Sequence, residues 1–151
     1  MVAMIYNNAM NTYETSIREL AEQYRVFCFY SFGSRGREVL ELVRGERQAP
    51  ERSTSDIDIG VHYRKGCRPE LNDTIHLMQA LEDIFQAPRV DLVDITLAPC
   101  ALALEIIQGE LIYCSDEIKQ AEYELYVLRC AGDQAFLMNE RYERIIKDGF
   151  R

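Results

Sequence analysis

Cysteine is sparse in this 151-residue chain: five residues, Cys28, Cys67, Cys100, Cys114 and Cys130, stand far apart with no C-x-x-C pair. An odd, scattered set provides neither a disulfide framework nor a zinc cluster, and such cysteines read as small buried hydrophobes. Positive charge is also short, with 17 Lys and Arg against 25 Asp and Glu and a formal net charge of -8. Binding to phosphate backbones rests on neutralising them with Lys and Arg, so nucleic acid is not expected as the main partner. No apolar run is long enough to span a bilayer, and the N-terminus lacks a basic segment followed by an apolar one. A cytoplasmic protein without a membrane partner is expected. Internal repeats and low-complexity segments are missing too, and the length suits one domain with a core of its own.

What the chain does carry is concentrated between Phe32 and Gly60. Ser55-Asp56-Ile57-Asp58-Ile59-Gly60 lies in an apolar run, Thr54 to Tyr63, that reads as a strand. Side chains alternate across a strand, so Asp56, Asp58, Gly60 and His62 share one face while Ile57, Ile59 and Val61 turn to the core. Two carboxylates so close repel, which raises the pKa of one unless a cation compensates. Hard divalent metals favour such oxygen clusters. By itself the pair reads equally well as two solvent-facing acids of an edge strand. His62, alone at a strand end, reads as a surface residue rather than a ligand.

Upstream, Asn8 to Arg25 has helical spacing of Tyr13, Ile17, Leu20, Ala21 and Tyr24. Val26 to Tyr30 reads as a buried strand ended by Ser31-Phe32-Gly33-Ser34. Gly33 permits a close backbone approach, and a helix starting after Ser34 would turn its free N–H groups toward an anion such as a triphosphate. A plain turn capped by Ser34 is the alternative. Arg35 and Arg37 lie near enough to this turn to meet phosphate oxygens, or else are solvated surface arginines. Val39, Leu40, Leu42 and Val43 suggest a helical turn or two, which Gly45 and Ala49-Pro50 break into a mobile loop.

Downstream, Glu70 to Phe85 reads as an amphipathic helix stopped by Pro88, and Arg89 to Ile95 as a third strand. Asp91 and Asp94 are three apart and point to opposite faces, so only one of them can join the carboxylate face. A charge within a Val/Leu/Ile strand is costly unless paired, metal-bound or exposed at the strand's end. A helix from Cys100 to Gln108 ends at Gly109, and Leu111 to Tyr113 forms a short strand. From Ser115, a helix capped by that residue runs to about Ala131, where Gly132 is placed to interrupt it before a last helix ending near Asp148. The expected organisation is a core of residues 1–114 and a helical extension, residues 115–151, of the same domain. Tyrosines and leucines on that tail serve either a partner surface or packing back on the domain.

Phe32-Gly33-Ser34, then Ser55-Asp56-Ile57-Asp58-Ile59, then Val90-Asp91-Leu92-Val93-Asp94 resemble, in order, the motifs of the minimal nucleotidyltransferases of the DNA polymerase β-like superfamily. Ala98-Pro99 to Tyr113 resembles the segment that succeeds those motifs in the family. Tyr123-Glu124-Leu125-Tyr126-Val127-Leu128-Arg129-Cys130-Ala131-Gly132-Asp133 looks like the tail of the subgroup that acts as antitoxins beside HEPN-domain toxins. The resemblance covers most of the chain from about Val26 onward. It implies an α+β fold, a small mixed sheet flanked by helices with a C-terminal helical tail. In one respect the chain departs from the family: the spacing between Gly-Ser and the first Asp is about twice the usual one, which places an insertion of about three helical turns between Arg37 and Arg44.

The same resemblance implies transfer of AMP from ATP to a tyrosine hydroxyl of a HEPN ribonuclease toxin, in a hetero-oligomer with it. Asp56 and Asp58 would bind Mg²⁺; Asp91 would complete the metal site and orient or deprotonate the hydroxyl, with Asp94 as its fallback. Gly33 and Ser34 would hold the β- and γ-phosphates, with Arg35 and Arg37 beside them. One rival is an antitoxin acting by contact alone, which has no need of clustered carboxylates that repel without metal. Another is a transferase for a small hydroxylated molecule such as an aminoglycoside, for which the chain has little length left to form a second domain. A structural metal-binding protein leaves the Gly-Ser turn unexplained.

Overall fold

The structure, a computed structural model, describes residues 11–149. In chain order its elements are α1 (Thr12–Gln23), β1 (Val26–Phe32), α2 (Gly36–Arg44), β2 (Ile57–Tyr63), α3 (Leu71–Phe85), β3 (Val90–Asp94), α4 (Cys100–Ile107), β4 (Glu110–Cys114) and α5 (Glu117–Asp148). The expected helix start at Asn8 lies outside the described residues. The four strands form one sheet in the order β3-β2-β1-β4. β1 runs antiparallel to both of its neighbours, while β2 and β3 are parallel and joined by the crossover helix α3. This is the mixed sheet of an α+β fold that the sequence leads one to expect.

Alternation along the strands sorts their side chains between two cores. On one face Phe29, Ile57, Ile59, Val61 and Tyr63 pack with Ile17 and Leu20 of α1, Val39 and Leu42 of α2, and Leu77, Leu81 and Phe85 of α3. On the other, Cys28, Tyr30 and Phe32 pack with Ala103 and Ile106 of α4 and Val127 of α5. The sequence suggests an open face along Asp58, Gly60 and His62, but α4 covers Gly60 and aromatic rings cover His62, while Asp58 is half-buried. Gly60 is buried because a Cβ there would collide with the Ile106 side chain. His62 is half-buried, its ring centroid 4.4 Å from that of Tyr123 and 5.0 Å from that of Phe27.

Three other features bear on the expectations. The residues between Arg37 and Arg44, where an insertion is expected, form α2, whose Val39, Leu40, Leu42 and Val43 are buried. The irregular length falls after Gly45, whose φ of 75° ends the helix in the left-handed conformation. The chain beyond Gly45 is fastened to α2: the Glu46 and Arg47 amides donate to the Glu41 carbonyl, and Arg47 pairs with Glu41 at 3.0 Å. Asp116, not Ser115, caps α5, accepting from the Ile118 and Lys119 amides, both at 3.1 Å. Finally, α5 is a continuous 32-residue helix through Gly132, and from there to Gly149 every described residue is exposed.

The packing of Gly60 under Ile106 gives a direct test. Gly60→Ala is expected to destabilise the fold by about 1–3 kcal/mol through overpacking. Adding Ile106→Leu, which lacks the Cγ2 methyl that the new Cβ would strike, should recover part of that loss in urea denaturation of the double variant.

Candidate active site

Strand register assembles the site. Antiparallel pairing of β1 with β2 sets Phe32 opposite Asp58, and parallel pairing of β2 with β3 sets Asp91 beside Asp58. Register partners project to the same face, so these two carboxylates are neighbours at the open end of the sheet. Asp56 precedes β2 by one residue and Asp58 by two. Gly33 then folds the chain back over the acids: its φ is 70°, and a Cβ on it would overlap the Asp58 carboxylate oxygen Oδ2. That position therefore requires glycine both for its backbone conformation and for the closeness of Asp58. Beneath the turn, the buried Ser31 hydroxyl donates to the Gly36 carbonyl at 2.8 Å, fixing the path from β1 into α2. Ser34 and Gly33 are exposed at its tip.

The electrostatics are those of crowded acids. Burial, and after it the charges of Asp91, Asp56 and Glu105, push the Asp58 carboxyl above its ordinary range. Arg89 meets Asp91 at 2.8 Å and holds that carboxylate at the edge of the site. Glu105 was not among the residues the sequence singled out. Its signal was being the lone charged residue of the otherwise apolar helix α4, Cys-Ala-Leu-Ala-Leu-Glu-Ile-Ile.

Asp94 is not brought to the site. It sits at the far end of β3 in register with Val61, accepts from the Thr96 amide at 3.0 Å and hydroxyl at 2.6 Å, and faces Arg68 at 3.8 Å. His62 stays apart as well: burial under the aromatic rings lowers its pKa, and its Nδ1 has no hydrogen-bond partner.

The two arginines of the turn part ways. Arg35 is 5% exposed, and its Nε and Nη2 donate to the two carboxylate oxygens of Glu38, both at 2.9 Å. Its Nη1 donates to the Ser55 carbonyl, also at 2.9 Å. The guanidinium thus faces inward rather than toward a ligand at the turn, contrary to the expectation from sequence. Arg37 is 67% exposed and only loosely drawn to Glu41 and Glu110, each at 3.6 Å.

Among the described residues, no group of three or more His, Cys, Asp or Glu side chains closes around a point where a metal ion could sit. The donor chemistry nevertheless suits a hard divalent ion. Mg²⁺ is held by one or two carboxylates, substrate phosphates and retained waters rather than by an all-protein cage. An open carboxylate cluster under a glycine turn is such an arrangement.

The fold has known counterparts. A chain of a toxin–antitoxin structure with AMP-PNP matches at 23% identity and a TM-score of 0.56, over 89% of this chain and 96% of that one. A chain of the MntA-HepT toxin–antitoxin structure matches at 22% identity and a TM-score of 0.55, over 90% and 95%. A structure of a tri-AMPylated Shewanella oneidensis HEPN toxin in complex with its MNT antitoxin matches at 23% identity and a TM-score of 0.55, over 90% and 94%. No curated protein sequence matches. Residues 15–118, which contain the glycine turn, Asp56, Asp58 and Asp91, match the family model described as polymerase beta, nucleotidyltransferase. The chain therefore belongs to the polymerase β nucleotidyltransferase family.

Proposed function

We propose that this protein is a metal-dependent adenylyltransferase that moves AMP from ATP to a tyrosine hydroxyl of a HEPN-domain toxin, and so serves as its antitoxin. The observation that carries the reading is the glycine turn lying on Asp58 with Asp91 alongside in the parallel ladder. The choice of AMP and of toxin is supported by the AMP-PNP and the AMPylated HEPN toxin in structures that share the fold. A protein partner is further supported by the bare second half of α5, where Phe136, Leu137, Tyr142 and Ile146 are exposed.

In this mechanism Asp56 and Asp58 hold Mg²⁺, with Asp91 completing the set. An ion held there would supply charge neutralisation for the departing pyrophosphate. The Gly33 backbone and Ser34 hydroxyl hold the β- and γ-phosphates, with exposed Arg37 adding positive charge at the same edge. Asp91 orients the tyrosine hydroxyl and takes its proton as the oxygen attacks the α-phosphorus and pyrophosphate leaves. Until then Arg89 restrains Asp91 in place. Arg35, turned inward, has no part in holding phosphate.

Asp58→Asn keeps the shape and removes the charge. With folding verified by circular dichroism, it is expected to cut AMP transfer from labelled ATP to the toxin encoded beside it by about three orders of magnitude, with the wild-type label mapped to a tyrosine by mass spectrometry. Undiminished transfer would remove Asp58 from the mechanism. If the inactive variant still rescues cells from the toxin, neutralisation works by contact alone.

The raised pKa of Asp58 also makes a stability prediction. An acid whose folded pKa lies above its unfolded value binds more protons when folded, so its ionisation opposes folding and stability falls as pH rises through that pKa. In EDTA, Asp58→Asn should therefore be more stable than wild type at neutral pH. The advantage should shrink as acid protonates wild-type Asp58, and millimolar Mg²⁺ with ATP should stabilise only the wild type. Equal urea midpoints for the two proteins across the pH range would contradict the crowding of acids at this position.

A further inference from the structure

Arg35 belongs to neither rim nor ligand surface, yet few side chains here are so completely engaged. Three nitrogens of its guanidinium donate at 2.9 Å, two to Glu38 and one to the Ser55 carbonyl, across 20 residues of sequence. Glu38, itself 6% exposed, also accepts from the Glu51 amide at 2.8 Å. One buried ion pair therefore ties three points together. The first is the start of α2, immediately after Gly33 and Ser34. The second is Glu51, in the irregular segment. The third is Ser55, the residue before Asp56. Each partner favours the other's charged form: the Arg35 hydrogen bond holds the Glu38 carboxyl below its usual range, and Glu38 raises the arginine.

The placement matters because Asp56 lies one residue before β2, with no register partner of its own, and is held on its C-terminal side by the Ile57 amide, which donates to the Arg89 carbonyl at 3.0 Å. Asp58 is held by ladders on both sides, to Phe32 and to Asp91. On the N-terminal side of Asp56 the anchor is the Ser55 carbonyl, which accepts from Arg35. The arginine also sits next to the phosphate-facing turn, so one rigid planar group spans the turn and the entry to the metal-binding acids. We infer that Arg35, oriented by Glu38, is the positioning residue that sets Asp56 relative to the Gly33-Ser34 turn, and that metal affinity depends on it although it touches neither metal nor nucleotide. This rests on the proposed assignment of Asp56 and Asp58 to the metal. Lysine cannot replace it, because a single ammonium has no fork to serve a carboxylate and a carbonyl in fixed directions.

Binding separates the possibilities without any acceptor protein. Mn²⁺, in place of Mg²⁺, is titrated by electron paramagnetic resonance into the full chain saturated with AMP-PNP. AMP-PNP affinity in EDTA and the thermal midpoint are measured on the same samples. Arg35→Lys and Glu38→Gln are each expected to weaken Mn²⁺ binding by about 10- to 100-fold, the size typical when a group supporting a metal ligand is lost. Metal-free nucleotide affinity should stay within about threefold, since the turn itself is untouched. Asp58→Asn is the control: if it leaves Mn²⁺ binding unchanged, the metal assignment fails, and with it the ground for this inference. If Asp58→Asn abolishes binding but both pair variants bind Mn²⁺ like wild type, the positioning role is overturned. Should Arg35→Lys not fold, Glu38→Gln decides on the same scale. Loss of fold in both would make the pair an element of core stability and overturn the proposal.

Discussion

The structure depends on a repulsion. Parallel pairing of β2 with β3 sets Asp58 and Asp91 side by side, with Asp56 near, and nothing in the ladder itself relieves the accumulated charge. A sheet tolerates this only where the face is left open to water or to a cation. α4 covers Gly60 and brings Glu105 to bear on Asp58, which stays only half-buried, and the turn lying on Asp58 is a glycine, where a Cβ would overlap its carboxylate. Counter-charge in the protein is rationed: Arg89 takes Asp91, while Arg35 is turned away and neutralised by Glu38. The result is an acidic corner at the open end of the sheet.

Around that corner the fold divides its labour between register and clasp. β1, paired on both edges and buried on both faces, carries Gly33 to Asp58 with little freedom. The irregular residues 45–56 lack such pairing, and hydrogen bonds accepted by Glu38 and Glu41 and donated by Arg35 replace it. A buried pair of this kind adds little net stability over an apolar pair of the same volume. Its value lies in geometry, since only one arrangement satisfies its donors and acceptors together.

Most of the fold was legible because its signals are periodic. Two-residue alternation in β2, the short aromatic and branched run of β1, and apolar spacing along α1 and α3 identify those elements without tertiary information. Asp91 could not be told from Asp94 by residue type, and only strand register separates the one beside Asp58 from the one capping the Thr96 turn. α2 was obscured because its buried stripe is interleaved with Arg37, Glu38, Glu41 and Arg44. Glu38, spaced three from Arg35, looks like any surface pair until burial is known. Gly132 misled because glycine costs a helix only about 1 kcal/mol, which neighbouring turns can outweigh. The Arg35 reversal has a related cause, since the nearest acid and a hypothetical phosphate compete for one guanidinium and distance along the chain does not show which wins.

The exposed second half of α5 bears on the lifetime of the protein. Helix that packs against nothing is held only by its own hydrogen bonds, and a stretch of this length is marginal in water. It opens at small cost in free energy, and open backbone is what proteases cleave. Covering that half closes the route. A partner bound there would thus raise the resistance of the chain to cleavage by the same free energy with which it binds.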